Sequence, residues 1–249
     1  MHLVDSFLYP PLDPHLMAEN PFSEGRVILI DKPLNWTSFQ VVNKVRWLIR
    51  KHYQLKKIKV GHAGTLDPLA TGLLILCTGP KTKIIDTYQA QHKVYTGTFQ
   101  LGATTPSYDL ETEIDQTFDV SHLTPSDLTS VSHQFIGTIE QAPPIFSAIK
   151  KDGKRLYEIA RSGGTIEIPK RPVTIQSFEL THLQLPDVGF EIACSKGTYI
   201  RSIAHDFGKA LDNGAHLTAL RRTQIGDFHV DQAQTIEAFE QELFALPTS

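Results

Sequence analysis

The stretch "VGHAGTLDPLATGLLILCTG", residues 60 to 79, places one carboxylate, Asp67, shortly after Gly61 and Gly64 and directly before Pro68. Proline disfavours helical geometry in the residue before it, so Asp67 is expected in an extended or turn conformation. The two glycines permit unusual dihedrals and remove side-chain bulk, which lets a ligand approach the backbone. His62 lies on the same loop, and "GLLILCTG" reads as a buried strand that would fix the loop to a core. The pattern alone suits a structural turn as well as a reactive loop. A carboxylate working without metal or cofactor commonly attacks an anomeric carbon. A glycosidase normally needs a second carboxylic acid to protonate its oxygen leaving group, and no partner for Asp67 stands out in the sequence. A nucleobase relaxes that need, because uracil leaves with its charge spread over its carbonyl oxygens. A lone aspartate with basic and aromatic company therefore points toward a nucleoside.

Other chemistries find less support. The 11 histidines are scattered, H-E-x-x-H is absent, and two cysteines do not make a zinc cluster. "TGPKTK" resembles a phosphate loop, but Pro80 precedes Lys81 and Ile75 stands where the first glycine belongs. No G-x-G-x-x-G follows a strand, and G-x-S-x-G is absent. No metal and no cofactor is expected.

The elements that must position Asp67 are partly legible. A chain of 249 residues, 41% hydrophobic and 20% charged, has the composition of a globular protein with a proper core. Residues 1 to 25 look irregular, and "RVILIDKP" reads as a buried strand. Thr37 or Ser38 caps a helix with Val41, Val42, Val45, Leu48 and Ile49 inward. "HKVYTGTFQLG" alternates, with Tyr95, Gly97, Phe99 and Leu101 on one face. "SDLTSVSHQFIG" is helical, "KRLYEIARSG" a short helix closed by Gly163, and "VGFEIACS" a strand. The next helix buries Ile200, Ile203, Ala204, Phe207 and Leu211 and ends at Gly214. "TIEAFEQELFALPTS" reads as a short amphipathic helix. Strands and helices mix without regular alternation, which favours an α+β fold.

Net charge is -3, so any polyanion site must be local. From Lys44 to Leu66 there are seven Lys or Arg residues and no acid, a solvated helix face or a polyanion contact. "SYDLETEIDQTFDV", with five acids and no base, is expected to be a loop away from any polyanion. Cys77 and Cys194 sit in apolar contexts that suit reduced, buried thiols. The longest apolar run near Asp67, "LLILC", is far too short to span a bilayer, and no targeting segment is visible. A soluble, cytoplasmic protein is expected.

Six collinear blocks, "DKPLNWTS", "VGHAGTLDPLATGLLILCTGPKTK", "HKVYTGTFQLG", "PPIFSAIKKDGKRLYEIAR", "CSKGTYIRSIA" and "HLTALRRTQIGDF", resemble the TruB-type tRNA pseudouridine synthases in order and spacing. The resemblance implies a pseudouridine synthase catalytic fold, with a mixed, mostly antiparallel sheet flanked by helices and a catalytic cleft on the sheet. It implies isomerisation of uridine 55 in the T-loop of tRNA, without cofactor or metal, on a base flipped from its stack. Asp67 matches the family's catalytic aspartate, which either attacks ribose C1′ or assists loss of a 2′ proton. Tyr95 matches the tyrosine that stacks on the base and is placed to take the C5 proton; in strand context alone, a core tyrosine fits as well. Arg201 matches the arginine paired with the catalytic carboxylate, which would lower the Asp67 pKa and orient it through two hydrogen bonds. Its place in the first helical turn, unfavourable for a lone cation, agrees with a negative partner. His62 and Tyr199 match positions bordering the nucleotide, and Leu220 an apolar contact to the base. Lys81, Lys83, Lys150, Lys151, Lys154, Arg221 and Arg222 are candidate phosphate contacts.

The resemblance divides the chain into an N-terminal extension (1–25), a catalytic domain (26–230) and a short helical tail (231–249). Many family members continue for ~50 or more residues into a small C-terminal RNA-binding domain of the PUA type, a modular size. That domain is not expected here. The expected partner is the T-arm of tRNA, with no membrane and no protein partner implied. A guide-RNA-dependent relative shares the aspartate loop but normally carries the C-terminal domain. A tRNA-folding chaperone would not need the intact "TLDP" loop.

Overall fold

A computed structural model of the chain describes residues 20–147, 150–151, 154–155 and 168–246, the two short pairs by backbone alone. Residues 1 to 19, most of the expected "KRLYEIARSG" helix and the side chains of Lys150, Lys151 and Lys154 lie outside the described residues. Lys154 and Arg155 lie in a two-residue strand rather than opening that helix.

In chain order the elements are α1 (Pro21–Glu24), β1 (Val27–Lys32), α2 (Ser38–His52), β2 (Val60–His62), β3 (Ala70–Thr78), α3 (Ile85–Ala90), β4 (Lys93–Leu101), β5 (Ala103–Thr104) and β6 (Gln116–Thr117). There follow α4 (Pro125–Gln134), β7 (Gly137–Gln141), β8 (Lys150–Lys151), β9 (Lys154–Arg155), β10 (Arg171–Gln184), β11 (Asp187–Cys194), α5 (Ile200–Ala210), β12 (Ala215–Ile225), β13 (Phe228–His229) and α6 (Ile236–Ala245). One sheet runs β1-β3-β12-β4-β11-β10-β7, with β2 added to β3 and β13 to β12. The β3–β12 pair is parallel; the other pairs of this sheet are antiparallel. The fold is α+β, as its residue pattern implied.

Local sequence explains most of these elements. Thr37 caps α2 in a reciprocal capping box with Gln40, and the five expected apolar residues are all buried. The unbroken run in β3 is apolar because the strand is covered on both faces: Leu74 and Leu76 pack with α2 and α6, Leu73 and Ile75 with Leu29 and Ile225. At the other end of the sheet Phe99 stacks on Phe190 with centroids 4.1 Å apart, and Phe178 and Phe207 close around them. Each such side chain contributes roughly 1.5–3 kcal/mol by burial. Cys77 and Cys194 are free and buried.

Gly97 matters for the site. A Cβ there would stand 2.2 Å from the Ala219 carbonyl oxygen and 2.6 Å from Phe190 Cζ. Only glycine lets β12 lie this close to β4, and β12 carries Leu220 and Arg222 toward the β2–β3 loop.

Candidate active site

The β2–β3 loop is anchored from three sides. Ser38, in the first turn of α2, accepts from Leu66 N at 2.8 Å and donates to Leu66 O at 3.1 Å. Asn35 N donates to Pro68 O at 2.8 Å, and the buried Lys32 ammonium reaches the same carbonyl at 3.4 Å. Arg222, from β12, donates to Gly64 O at 3.1 Å and Thr65 O at 3.4 Å, with its Nε on Leu73 O at 2.8 Å. Gly64 takes φ +102°, a conformation that favours glycine. Within the loop, Ala70 N closes a turn on Asp67 O at 3.1 Å. Asp67 is therefore held by the backbone around it.

Its side chain meets Arg201. Arg201 Nε lies 3.0 Å from Asp67 Oδ2 and 3.5 Å from Asp109 Oδ2. The arginine is 4% exposed, so the first-turn cation is compensated as its position required. The expected two-pronged hydrogen bond is absent, however. Arg201 spends its terminal nitrogens on backbone, Nη1 on Ser107 O at 3.2 Å and Nη2 on Phe146 O at 3.0 Å, and offers only its Nε edge to the carboxylates. That Nε–H is aligned with neither, so both contacts are ionic.

The second carboxylate is a correction. The acidic loop expected to lie away from any polyanion brings Asp109 to Arg201, and the Glu111 charge is felt at Asp67 as well. Tyr108, at φ +63°, makes the turn that presents Asp109, and Asp109 Oδ1 accepts from Glu111 N at 2.9 Å. A second correction concerns charge. Burial raises the Asp67 pKa above the ordinary carboxylate value; Arg201 opposes this, and Asp109 and Glu111 add to it. Arg201 limits the rise without reversing it.

A cleft opens over this pair, with Leu69, Ala70, Leu110 and Leu220 as apolar wall and Asp67, Asp109 and Arg201 as its charged groups. Leu220 sits across from Ala70 on β3 and Gly97 on β4. Tyr95 is buried beneath the loop, 8% exposed, packed in the cluster that includes Leu66 and Ala70, and does not line the cleft. Burial raises its pKa, while the Arg222 charge pulls it down. His62 is half-buried, its Nδ1 without a partner among the described residues, and burial lowers its pKa. Tyr199 is the N-cap of α5: Gln141 accepts from its N–H at 2.8 Å and donates to its carbonyl at 3.1 Å. Arg171 lies over its ring at 5.2 Å.

The basic candidates divide. Lys81 and Lys83 are exposed. Arg221 grips Asp31 with two nitrogens, at 3.0 and 2.6 Å. Arg222 is 1% exposed and cannot touch phosphate, which corrects that expectation. Strand alternation sends these neighbours to opposite faces of β12. Lys32, fully buried with its pKa lowered by burial to about 8, gave no functional signal in the sequence. Among the described residues there is no His/Cys/Asp/Glu group suited to a metal, and no helix long and apolar enough to cross a membrane.

Residues 50–200 match the model of the TruB family pseudouridylate synthase N-terminal domain, and residues 201–246 that of the tRNA pseudouridylate synthase B C-terminal domain. The chain belongs to the TruB family of pseudouridylate synthases. A TruB relative from Flavobacterium johnsoniae, named tRNA pseudouridine synthase B, is 59% identical over 228 residues, covering 91% of this chain and all of the relative. Another of that name from Phocaeicola vulgatus is 52% identical over 222 residues, covering 89% of this chain and 94% of the relative. Among solved structures, a Cbf5-Nop10-Gar1 complex matches at TM-score 0.67 and 27% identity over 93% of this chain. An H/ACA RNP bound to a substrate RNA containing 2'-deoxyuridine matches at TM-score 0.64 and 25% identity over 95% of it. This TruB chain spans 60% of the matched chain in each of those two structures.

Proposed function

We propose that the enzyme isomerises uridine 55 in the T-loop of tRNA to pseudouridine, without cofactor, in the cytoplasm. The observation that carries this is the Asp67–Arg201 ion pair at an apolar-walled cleft in a TruB-family chain. The target uridine is flipped out of the T-arm, at a cost of a few kcal/mol that protein contacts offset. Asp67 then either attacks C1′, displacing N1 with its bonding electrons, or removes the 2′ proton to give a glycal. In either route uracil leaves as an anion, turns and rejoins through C5 to C1′. On the first route the Asp67–C1′ bond breaks in that step; on the second, Asp67 returns its proton to C2′ as C5 adds to C1′. The C5 proton passes to the phenolate form of Tyr95, which releases it to solvent, and N1 takes a proton from water.

The apolar wall formed by Leu69, Leu110 and Leu220 keeps detached uracil from water and from escape. Tyr95 stacks on a base inserted past Leu220, and His62 and Tyr199 border the nucleotide. Lys81 and Lys83, with Lys150, Lys151 and Lys154, hold phosphates.

The test is single-turnover reaction of unmodified tRNA, labelled with tritium at C5 of uridine, with wild type and Asp67→Asn. Wild type releases tritium; the variant does not, and it still binds the RNA. Equal release by both would remove Asp67 from the mechanism. Binding without release by wild type would favour an RNA-folding role.

A further inference from the structure

Arg222 is a fully buried guanidinium, and among the described residues no carboxylate forms an ion pair with it. A buried cation without a counter-ion is a poor stabiliser, because carbonyl dipoles only partly offset its desolvation. Packing does not account for it, so its position has to. Its three nitrogens reach from Leu73 on β3 to Gly64 and Thr65 in the loop that carries Asp67. In the strand register it stands directly opposite Tyr95 on β4. One side chain therefore links the two residues assigned to the chemistry.

The geometry points to Arg222 as a positioning residue, which clamps the Asp67 loop to the sheet and, from across the strand pair, holds a fixed positive charge against Tyr95. The charged and titratable groups that bear on Tyr95 are Arg222 from β12, Cys194 from β11 and Asp67 from the loop. Burial and the latter two push the phenol toward its neutral form, and Arg222 opposes them. The same charge also lowers the pKa of His62, Lys32 and Lys93, though less than their burial does, which marks the space beneath the loop as electropositive. Tyr95 takes a proton only as its phenolate, and Arg222 is the fixed cation that favours that form against burial.

The clamp is read without catalysis and the electrostatic part through it; only the latter rests on the proposed reaction. Amide exchange at Ala63, Leu66 and Ala70, whose N–H groups bond within or to the loop, is compared in wild type, Arg222→Lys and Arg222→Met. Loss of the three-way fork speeds exchange roughly tenfold to a hundredfold in both variants. Wild-type exchange in Arg222→Lys overturns the clamp. In single-turnover reaction both variants slow while tRNA binding stays within about threefold, since Arg222 is too buried to touch RNA. The pH limb that vanishes in Tyr95→Phe moves to higher pH in Arg222→Met and stays in place in Arg222→Lys, which keeps the charge. A limb unmoved in Arg222→Met overturns the electrostatic part. Should Arg222→Met not fold, Arg222→Gln takes its place in the pH series. Should wild type fail to modify tRNA, the proposed function falls, and amide exchange still decides the clamp.

Discussion

Arg201 Nε lies 3.0 Å from Asp67 Oδ2, yet the Asp67 carboxyl is harder to ionise than an ordinary one. Burial is the larger effect, and Asp109 and Glu111 reinforce it. In the proposed mechanism the reactive form is the carboxylate, so the rate of the chemical step falls as pH drops through the raised pKa. Asp109→Asn removes a like charge and moves that acid limb to lower pH; Arg201→Gln removes the opposing cation and moves it to higher pH. Both shifts are moderated because 40% of the Asp67 side-chain surface remains open to solvent. Single-turnover pH profiles check this. A limb that moves the same way in both variants contradicts the charge arrangement.

The same raised pKa has a consequence for stability. The folded chain holds the Asp67 proton to higher pH than the unfolded chain does. Stability from this group is present below the unfolded value of 3.8 and is lost as pH rises through the folded pKa. Asp67→Asn, inactive by the proposed mechanism, therefore melts at least as high as wild type at neutral pH. The difference closes as pH approaches the ordinary carboxylate range. Thermal melts across pH test the sign, and a variant that melts lower at neutral pH reverses it.

Two sets of basic residues that look alike in sequence should behave differently. Lys56, Lys57 and Lys59 are exposed in a stretch free of acids, whereas Arg221 already holds Asp31 with both terminal nitrogens. Replacing the three lysines with alanine weakens tRNA binding and flattens its logarithmic salt dependence by about 2–3. Arg221→Ala leaves that slope unchanged and costs at most about 1 kcal/mol of stability, as befits a half-exposed ion pair. An unchanged slope in the triple variant would return those lysines to the role of a solvated face.

The sequence was most informative where local chemistry decides structure. Pro68 and the glycines around Asp67 marked the loop, the Thr37 cap marked α2, and the apolar run of β3 marked a strand covered on both sides. Arg201 was legible through the family resemblance, and its place in a first helical turn, where a cation calls for an anion, agreed with it. Asp109 was not, since a run of acids reads as solvent-exposed surface and its approach to Arg201 depends on a turn at Tyr108 and on β12 lying beside it. Arg222 was misread for a related reason. Adjacent arginines suggest a basic patch, and only the strand pairing shows that one faces Asp31 while the other is buried beneath the loop. β12 itself, "AHLTALRRTQI", alternates too irregularly for its period to be read; its bulges beside Leu217 and Arg222 break the repeat.

Those bulges and the close approach of β12 to β4 make Gly97 the most exacting test of the fold. In a strand, replacing glycine with alanine ordinarily helps by roughly 0.5–1 kcal/mol through chain entropy. At Gly97 the new methyl would overlap the Ala219 carbonyl at 2.2 Å and Phe190 at 2.6 Å, so something must move. Overpacking of this kind costs about 1–3 kcal/mol, which outweighs the entropic gain. Phe190 is stacked on Phe99 and cannot yield cheaply, so β12 is the element that shifts. Leu220 and Arg222 shift with it, the first away from the cleft and the second away from the Gly64 and Thr65 carbonyls. Gly97→Ala therefore loses stability in urea denaturation and, at temperatures where it stays folded, loses single-turnover rate with tRNA affinity nearly intact. A variant as stable and as fast as wild type would mean that β12 has room to spare, and the close strand approach would no longer explain how the site is held.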